Sequence, residues 1–442
     1  MNRTVAETVQ RISHFVSRDR HTREVAGGAA VALVLRFAAA GLSFVFNIVL
    51  ARLLGIEGVG VYFLAFTVTT LAAVAGRAGM DNALLRFVAT SAAQANWAEV
   101  SGLYRRAIWI STGASAAITA LVFIAAPVIS EDLFSDPDLI DPLRLMSLGI
   151  VPFSLLTLHG ELLKGLKRIR DAMLVQAFCL QLFAIPLLLL LGVQFGLLGA
   201  TAAYVTTLFL VLILSVVLWR RATPQIRGLR GHFDTRLLVA SSLPLFWATS
   251  GDLAMNWTDT LMLGILSDSE AVGIYGVAMR TALPIGFIVI AVTSAIAPRF
   301  AVLYAHGEVR ALESLARKAT GMMILLVSPV LLLLVAFPEW VLGFFGAGFR
   351  SGAPVLAILA AGQFTNVAFS LADTALMMSG YVKVVRNNVL LGALLNVLLN
   401  VLLIPAYGPV GAAVATATAT AVRRLAAVYL MRKYLSVKLW FL

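Results

Sequence analysis

The chain has 442 residues, of which 60% are hydrophobic and only 13% charged, and its mean hydropathy is +0.92. A soluble globular domain carries about 25% charged residues, and a disordered chain is poor in apolar residues. The composition excludes both classes and leaves the lipid bilayer as the solvent. The net charge of +12 is then explained by the basic bias of cytoplasmic loops, and no nucleic-acid partner is expected.

A polar leader, residues 1–24, precedes the first apolar stretch, and its own apolar residues recur at helical spacing. We expect this leader to form an amphipathic helix on the cytoplasmic membrane surface. Apolar stretches long enough to cross the bilayer then recur along the rest of the chain. The predicted transmembrane spans 1 to 12 are residues 26–50, 59–83, 104–129, 143–163, 172–192, 196–219, 237–266, 272–297, 319–337, 353–378, 388–404 and 409–431.

The distribution of basic residues predicts the orientation of the chain. Most of the 34 lysines and arginines lie in the leader, in the loops after spans 2, 4, 6, 8 and 10, and in the C-terminal tail. The opposite loops are poor in basic residues and include an acidic run from Glu131 to Asp141. Because cytoplasmic loops are enriched in lysine and arginine, the sequence predicts a multi-pass inner-membrane protein with both termini in the cytoplasm.

The chain contains an internal repeat at a nearly constant offset. Gly60-Val-Tyr62 recurs as Gly273-Ile-Tyr275, and a Gly-x-x-Gly-Ala motif begins at both Gly196 and Gly408. We therefore predict an all-α integral membrane protein built from two tandem six-helix halves. The predicted halves are residues 25–225 and 226–442. Because each half has an even number of spans, the halves are related by a pseudo-two-fold axis along the membrane normal, a plan typical of transporters that bind substrate between the halves.

Polar residues form a stripe on one helical face in span 1 and again in span 7. These residues are Arg36, Ser43 and Asn47 in span 1, and Asp252, Asn256 and Asp259 in span 7. Charged residues inside a membrane are costly and usually face a cavity. The repeat superposes Asn47 on Asn256, so we expect the two stripes to face each other across a central cavity. The alternative is that they only join helices through buried hydrogen bonds.

Two further arginines lie within predicted spans. Arg280 lies about nine residues into span 8, and Arg77 lies in span 2, which the repeat extends as far as Arg86. Asp81 follows Arg77 by four residues, the spacing of a neutralising ion pair on a helix. Arg77 is therefore either a ligand-binding residue or one member of a structural pair.

The sequence has no nucleotide-binding loop, zinc-protease motif or nucleophile elbow in the required context. Its one cysteine, Cys179, lies in an apolar span, so no disulfide or cysteine metal site is possible within the chain. We therefore expect no cofactor, no bound metal and no enzymatic activity.

Four segments carry a resemblance to a known family. They are Asn47–Tyr62, Gly79–Phe87, Gly273–Pro284 and Ala297–Tyr304. They resemble the polysaccharide flippases of O-antigen and exopolysaccharide synthesis, a branch of the multidrug/oligosaccharidyl-lipid/polysaccharide exporter superfamily. The similarity extends over the whole chain, including the helix count and the repeat.

This resemblance implies a flippase that moves an undecaprenyl-pyrophosphate-linked oligosaccharide across the inner membrane by alternating access. It also implies membrane lipids and other polysaccharide-assembly proteins as partners. In related lipid II flippases an arginine before the proline of helix 8 serves a cationic cavity, and Arg280, before Pro284, matches it. With Arg36 and Arg77 it is a candidate for the pyrophosphate, because guanidinium groups bind phosphate through paired donors.

The resemblance also raises coupling to H⁺ or Na⁺, for which Asp252 and Asp259 are the candidates. The sodium site of lipid II flippases uses helices 7, 11 and 12. The matching polar residues here are Asp252 or Asp259, Asn396 or Asn400, and Thr416 or Thr420. Helix 11 lacks a carboxylate in this chain.

Three alternatives remain open at the level of the sequence. A multidrug cation antiporter of the same fold would depend on acidic cavity residues, and a lipid II flippase would usually have fourteen helices. A membrane-embedded glycan enzyme or a scaffold of an envelope-assembly complex belongs to a different class. The absence of a large external loop and of a clustered acid/base pair argues against the enzyme.

Overall fold

The structure is a computed structural model that describes the backbone of residues 20–437 and the side chains of residues 34–242 and 257–437. Most of the predicted leader therefore lies outside the described residues. All regular structure from residue 20 to residue 437 is helical, which confirms the all-α class. The α-helices are α1 (Arg20–Gly76), α2 (Met80–Ala93), α3 (Trp97–Val128), α4 (Ile140–Ser147), α5 (Ile150–Gly165), α6 (Ile169–Met173), α7 (Cys179–Leu187), α8 (Val193–Ala222), α9 (Thr235–Leu266), α10 (Ser269–Ala282), α11 (Pro284–Ala305), α12 (Val309–Ala336), α13 (Pro338–Gly343), α14 (Ala353–Met378) and α15 (Val382–Leu435).

Single glycines interrupt the three longest helical runs. α1 has 57 residues, and α15 and the run 169–222 have 54 each. At 1.5 Å per residue each would be about 80 Å long, far more than the roughly 30 Å of bilayer hydrocarbon. The backbone leaves the helical conformation at Gly55, Gly196 and Gly408, where φ is 70°, 57° and 52°. Glycine adopts positive φ without the steric penalty of a Cβ atom, and these positions coincide with predicted breaks between spans.

Seven helical segments of the described residues are long and apolar enough to cross a membrane, and the pair α4–α5, bent by 46°, adds an eighth. Twelve spans follow if each of the three glycine breaks separates two spans and α9 is another. The count of twelve and the two-fold axis therefore stay predictions.

The repeat in the sequence has a local structural counterpart. Gly196 and Gly408, 212 residues apart, have almost the same backbone conformation, with ψ of −130° at both. Three residues later, Gly199 and Gly411 each lie so close to a carbonyl oxygen of the preceding helix that an added Cβ would collide with it. The chain builds the same turn twice, as the shared motif predicts.

α1 and α10 meet at what we call the acidic end of the molecule, where Asp136 and neighbouring carboxylates lie. A Cβ atom on Gly60 would collide with the backbone carbonyl of Ser269, and one on Gly273 with the carbonyl of Ile56. The Ser269 hydroxyl donates a hydrogen bond to Asp136. The two helices therefore touch through their backbones, and this contact closes the acidic end.

The opposite end, which we call the basic end, carries the linker, residues 223–234, between α8 and α9. The Ser101 hydroxyl donates to the Leu229 carbonyl at 2.8 Å, and the Arg105 guanidinium donates to the Gly231 carbonyl at 2.7 Å. These bonds fix the linker to the beginning of α3, which extends from this end to the acidic end.

Candidate functional site

A cavity of about 790 Å³ lies among α1, α5, α7, α9, α10 and α11, within the usual range for ligand sites. Its polar lining consists of Arg36, Ser43, Asn47, Lys164, Gln176, Gln181, Trp257, Thr260 and Arg280, and its phenylalanines are Phe44, Phe66, Phe287 and Phe345. Neither aspartate nor glutamate occurs among the described residues of this lining. The cavity therefore presents three basic side chains together with neutral polar and aromatic groups.

Arg280, on α10, is held against aromatic rings of α1. Its guanidinium carbon lies 3.5 Å from the ring centre of Phe63 and 5.9 Å from that of Phe66. One guanidinium nitrogen donates to the Gly276 carbonyl at 3.3 Å, and no ion pair involves Arg280 among the described residues. Cation–π contacts of this kind contribute about 2 kcal/mol when desolvated. They leave most of the guanidinium donors available to an anion.

Arg36, on α1, is half-buried and lies on the opposite wall. Its guanidinium carbon is 5.1 Å from the ring centre of Phe287 on α11. No carboxylate within the described part of the chain pairs with it. Because an unpaired charge inside a membrane is costly, two such arginines in one cavity indicate a site for an anionic ligand.

The two arginines lie at different depths. Phe287, which Arg36 contacts, follows Arg280 by seven residues, or about 10 Å along the helix at 1.5 Å per residue. α11 continues from there to the basic end, so Arg36 lies nearer that end and Arg280 deeper. An anion that enters from the basic end meets Arg36 before Arg280.

Lys164 adds a cation at the basic end of the cavity. Its ammonium group donates to the Glu161 carboxylate at 2.7 Å, and the Gln176 amide donates to the same carboxylate at 3.1 Å. The sequence places Lys164 in the loop after span 4, but α5 continues to Gly165. Because the helix is longer by Lys164 and Gly165 than predicted, Lys164 is helical and its side chain lines the cavity.

Arg77 is not in this cavity. α1 ends at Gly76, and Ala78 and Gly79 have positive φ values of 49° and 70°, so Arg77 lies in a turn and not within a continuous helix. Its guanidinium forms an ion pair with Asp81 at 3.0 Å and is only 7% exposed. The structure thus corrects the expected helix and favours the structural pair over pyrophosphate binding.

Asp259 lies in a second polar site, built by α9, α10 and both parts of α15. One carboxylate oxygen accepts hydrogen bonds from the hydroxyls of Tyr275 and Thr416, each at 2.6 Å. The other accepts from the amides of Asn400 at 2.6 Å and Asn396 at 3.2 Å. We call these five residues the Asp259 cluster. Four neutral donors stabilise one buried carboxylate, and no cationic side chain of the described residues takes part.

The donor set of the Asp259 cluster suits a monovalent cation. It has one carboxylate and several neutral oxygens, which are ligands for hard cations, and its formal charge of −1 would be neutralised by one Na⁺ or H⁺. The amide oxygen of Asn400 is buried and accepts no hydrogen bond from the described side chains, so it can act as a ligand. Among the described residues no group of three or more His, Cys, Asp or Glu side chains forms a multivalent metal site.

The structure places Asp259 apart from the polar residues of span 1. Ser43 and Asn47 line the cavity with Arg36, but Asp259 points to α10 and α15 and not across the cavity. The side chains of Asp252 and Asn256 lie outside the described residues, so their expected positions stay predictions. The face of α9 toward the cavity includes Trp257 and Thr260.

Several site residues were missing from the sequence-based candidates. Tyr275 was recognised only as part of the repeat, although its match with Tyr62 already marked it as a distinctive position. Gln176 and Gln181 lie in an apolar stretch of the sequence, and the rarity of amides there is a signal that identifies them as candidates for a cavity.

Comparison with known proteins agrees with this arrangement. The polysaccharide biosynthesis protein family matches residues 25–303, and the MatE family matches residues 244–402. Stage V sporulation protein B of Bacillus subtilis (strain 168) is 29% identical over 124 residues, which are 28% of this chain and 23% of that protein. The chain thus aligns with about a quarter of the length of this relative.

Two solved structures have closely similar folds. The lipid II flippase MurJ in its inward closed conformation has a TM-score of 0.75 at 15% identity, with 91% of this chain and 87% of that chain covered. A multidrug resistance MATE family transporter of the MOP superfamily in its inward-facing conformation has a TM-score of 0.73 at 16% identity, with 92% and 98% covered.

The apolar helices of the described residues define a multi-pass membrane protein, and its fold is similar to those of the MurJ and MATE structures. The chain belongs to the polysaccharide biosynthesis protein family, which matches well over half of its length. This confirms the resemblance drawn from the sequence. These families and structural neighbours are transporters and flippases, not enzymes.

Proposed function

We propose that this protein is a flippase that moves an undecaprenyl-pyrophosphate-linked oligosaccharide across the inner membrane for cell-surface polysaccharide synthesis. The observation that carries this proposal is the cavity in which Arg36 and Arg280 have no carboxylate partner among the described residues. A pyrophosphate is polyanionic, and a guanidinium group stays protonated while offering it paired donors. The amides and aromatic rings of the same cavity suit sugar hydroxyls and sugar faces.

The closed acidic end supports a direction of loading. The cavity reaches Lys164 at the basic end, whereas Gly60 and Gly273 close the opposite end. With the basic end in the cytoplasm, the lipid-linked sugar loads from the cytoplasmic leaflet and leaves after the contact of α1 with α10 opens. The two halves, residues 25–225 and 226–442, are the proposed moving units.

Substitution of the two arginines tests the anion site. We expect Arg36→Ala and Arg280→Ala each to abolish glycan export in cells that depend on this protein, with export normalised to the amount of protein in the membrane. Lysine at either position should restore export only in part, because it keeps the charge but loses the planar fork. Arg386→Ala is the matched control, because Arg386 is exposed and, within the described part of the chain, its side chain bonds to the neighbouring Asn387 and to no carboxylate. Normal export by both alanine variants would contradict the proposal.

Transport assays with other substrates separate this function from the alternatives. A multidrug cation antiporter would depend on cavity carboxylates, and none was found among the described lining residues. We therefore expect membrane vesicles that contain the protein to show no gradient-driven transport of cationic dyes. Dye transport that is abolished by Asp259→Asn would favour the antiporter instead. A lipid II flippase would use the same pyrophosphate chemistry, so rescue of lipid II translocation in cells that lack their own flippase tests that alternative directly.

We further propose that the Asp259 cluster couples transport to Na⁺ or H⁺. Asp259 is 2% exposed and has only neutral donors around it, so cation uptake and release would change the packing of α9, α10 and α15. Asp252 stays a second candidate for this role. Replacing Na⁺ with K⁺ at constant pH, and varying pH at constant Na⁺, identifies the ion.

Reporter fusions test the proposed orientation. The sites expected to be periplasmic are Asp136, Val193 and Ser267, and those expected to be cytoplasmic are Lys167, Gly228 and His306. A reversed result at any of these six sites would contradict the twelve-helix arrangement.

A further inference from the structure

A second pocket lies outside the transport cavity, at the basic end of the molecule. It has a volume of about 410 Å³ and is lined by Tyr104, Trp219, Arg220, Thr223, Ile226 and Arg227. We call it the linker pocket, because α3 and α8 form one side and the linker forms the other. We propose that the linker pocket binds the phosphodiester headgroup of an anionic phospholipid in the adjacent leaflet.

The charges of the linker pocket favour a phosphate group. Arg220 and Arg227 are both exposed, and no carboxylate of the described residues forms an ion pair with either. No aspartate or glutamate lines the pocket among the residues the structure describes. Arg220 lies in the last turn of α8 and Arg227 lies in the linker, so one phosphodiester between them would be bound from two sides by charge-assisted hydrogen bonds.

An unsatisfied buried donor provides independent support for a ligand. Trp219 is 1% exposed, and its indole nitrogen has no hydrogen-bond acceptor among the residues that the structure describes. Leaving such a donor unpaired costs about 1–3 kcal/mol. Tyr104 stacks on the indole at a ring distance of 5.0 Å and bonds to His159 at 3.2 Å, which fixes this wall of the pocket. An ester or phosphate oxygen could supply the missing acceptor after a small shift of the indole or of the stacked Tyr104 ring, because the indole nitrogen is itself shielded in this structure.

The surface next to the pocket favours a lipid over a free phosphate. Leu210, Ile213 and Val217 on α8 are 43%, 62% and 39% exposed. Their spacing places them on the helical face that also carries Arg220. An apolar strip thus runs along α8 to the arginine, as expected for acyl chains in the bilayer below a headgroup. Tryptophan, tyrosine and arginine are also the residues favoured at membrane interfaces.

The bound headgroup would join α8 to the linker. The linker is already fixed to α3 through Ser101 and Arg105, and it is the only connection along the chain between the two proposed halves. A lipid held by Arg220 and Arg227 would therefore stabilise the docked linker, and its loss would loosen the connection.

Lipid-dependent stability of the purified, delipidated full-length protein tests this proposal. We expect phosphatidylglycerol to raise the Tm more than phosphatidylethanolamine or inorganic phosphate does. Arg220→Ala/Arg227→Ala should lose at least half of the rise caused by phosphatidylglycerol. Arg221→Ala/Arg230→Ala is the matched control, because it removes the same charge from exposed residues near the pocket that do not line it, and it should keep the rise.

Two further variants keep the test decisive. Arg227→Ala alone leaves α8 unchanged and should lose part of the rise even if the double variant is unstable. Trp219→Phe keeps a ring but removes the N–H donor, and should also reduce the rise in Tm caused by phosphatidylglycerol. If Arg221→Ala/Arg230→Ala lost the rise in Tm to the same extent, the lipid effect would come from diffuse surface electrostatics. If inorganic phosphate raised the Tm as much as phosphatidylglycerol does, the pocket would be a site for free phosphate. Either result would overturn the proposal, as would equal stabilisation by phosphatidylethanolamine.

Discussion

Asp259 and Asp373 are both buried carboxylates of the membrane region, 2% and 8% exposed, but their partners are of opposite kinds. Asp259 accepts hydrogen bonds from four neutral side chains. Asp373 instead forms ion pairs with Arg424 and, at 3.3 Å, with Arg423. Among the described residues, one carboxylate is thus stabilised without a counter-charge, and the other by two permanent positive charges.

This difference separates the proposed coupling residue, Asp259, from a carboxylate held by ion pairs, Asp373. Arginine stays protonated at physiological pH, so a mobile cation that replaced the arginines at Asp373 would have to displace two permanent positive charges from this carboxylate. The neutral donors around Asp259 leave its charge available to one H⁺ or Na⁺. Burial alone therefore does not identify a candidate ion-coupling carboxylate. The charge of the hydrogen-bonding partners has to be considered as well.

The largest effect is expected on stability, from Asp373→Asn. Breaking a buried ion pair by removing one partner costs about 3–5 kcal/mol, so we expect a much lower Tm in detergent and little protein in the membrane. The control is Asn366→Ala, which removes neutral hydrogen bonds with Arg424 and Gln363 but no charge, and should have a smaller effect. A normal Tm for Asp373→Asn would remove the contrast between the two carboxylates.

Asp259→Asn should leave the protein folded but uncoupled. The amide keeps the shape and part of the hydrogen bonding, but it cannot carry the charge that a cation would neutralise. We expect gradient-driven transport in vesicles to fall by roughly tenfold or more, equivalent to about 1.4 kcal/mol, and to lose its response to Na⁺ and pH. A variant that keeps this response would place the coupling site elsewhere, with Asp252 the next residue to test.

Tyr275→Phe should have the smallest effect. It removes one of four donors to Asp259, worth about 1 kcal/mol or roughly fivefold in the half-saturating concentration of the coupling ion. Tyr62→Phe is the matched control, because Tyr62 is the repeat counterpart of Tyr275 and is equally buried. Equal changes in the two variants would indicate a packing effect and not a role in the Asp259 cluster.

Much of the fold followed from the sequence because the bilayer imposes simple rules. Length and hydropathy predict the spans, and the repeated glycine motifs predict the turns later found at Gly196 and Gly408. Placement of Arg36 and Arg280 at one cavity agrees with the expected central site, although their binding role stays a proposal. These features depend on local pattern or on symmetry, which a sequence records directly.

The partners of individual side chains were harder to predict. Helical spacing places Asp252, Asn256 and Asp259 on one face but does not say which neighbouring helix that face meets. Asp259 faces α10 and α15 because these helices supply four donors for it. Arg77 was misplaced because the repeat was extended across Ala78 and Gly79, whose left-handed backbone ends the helix.

The contact between Gly60 and Gly273 affects how the protein is distributed between a closed and an open state of the acidic end. Because an added Cβ atom on Gly60 would collide with the carbonyl of Ser269 and one on Gly273 with the carbonyl of Ile56, this close packing requires that both positions lack a side chain. In the proposed transport cycle it belongs to the state in which the acidic end is closed. A methyl group at either position would destabilise only the closed state and shift the equilibrium toward the open one without any ligand. The resting distribution between the two states therefore depends on two positions where the chain carries no side chain at all.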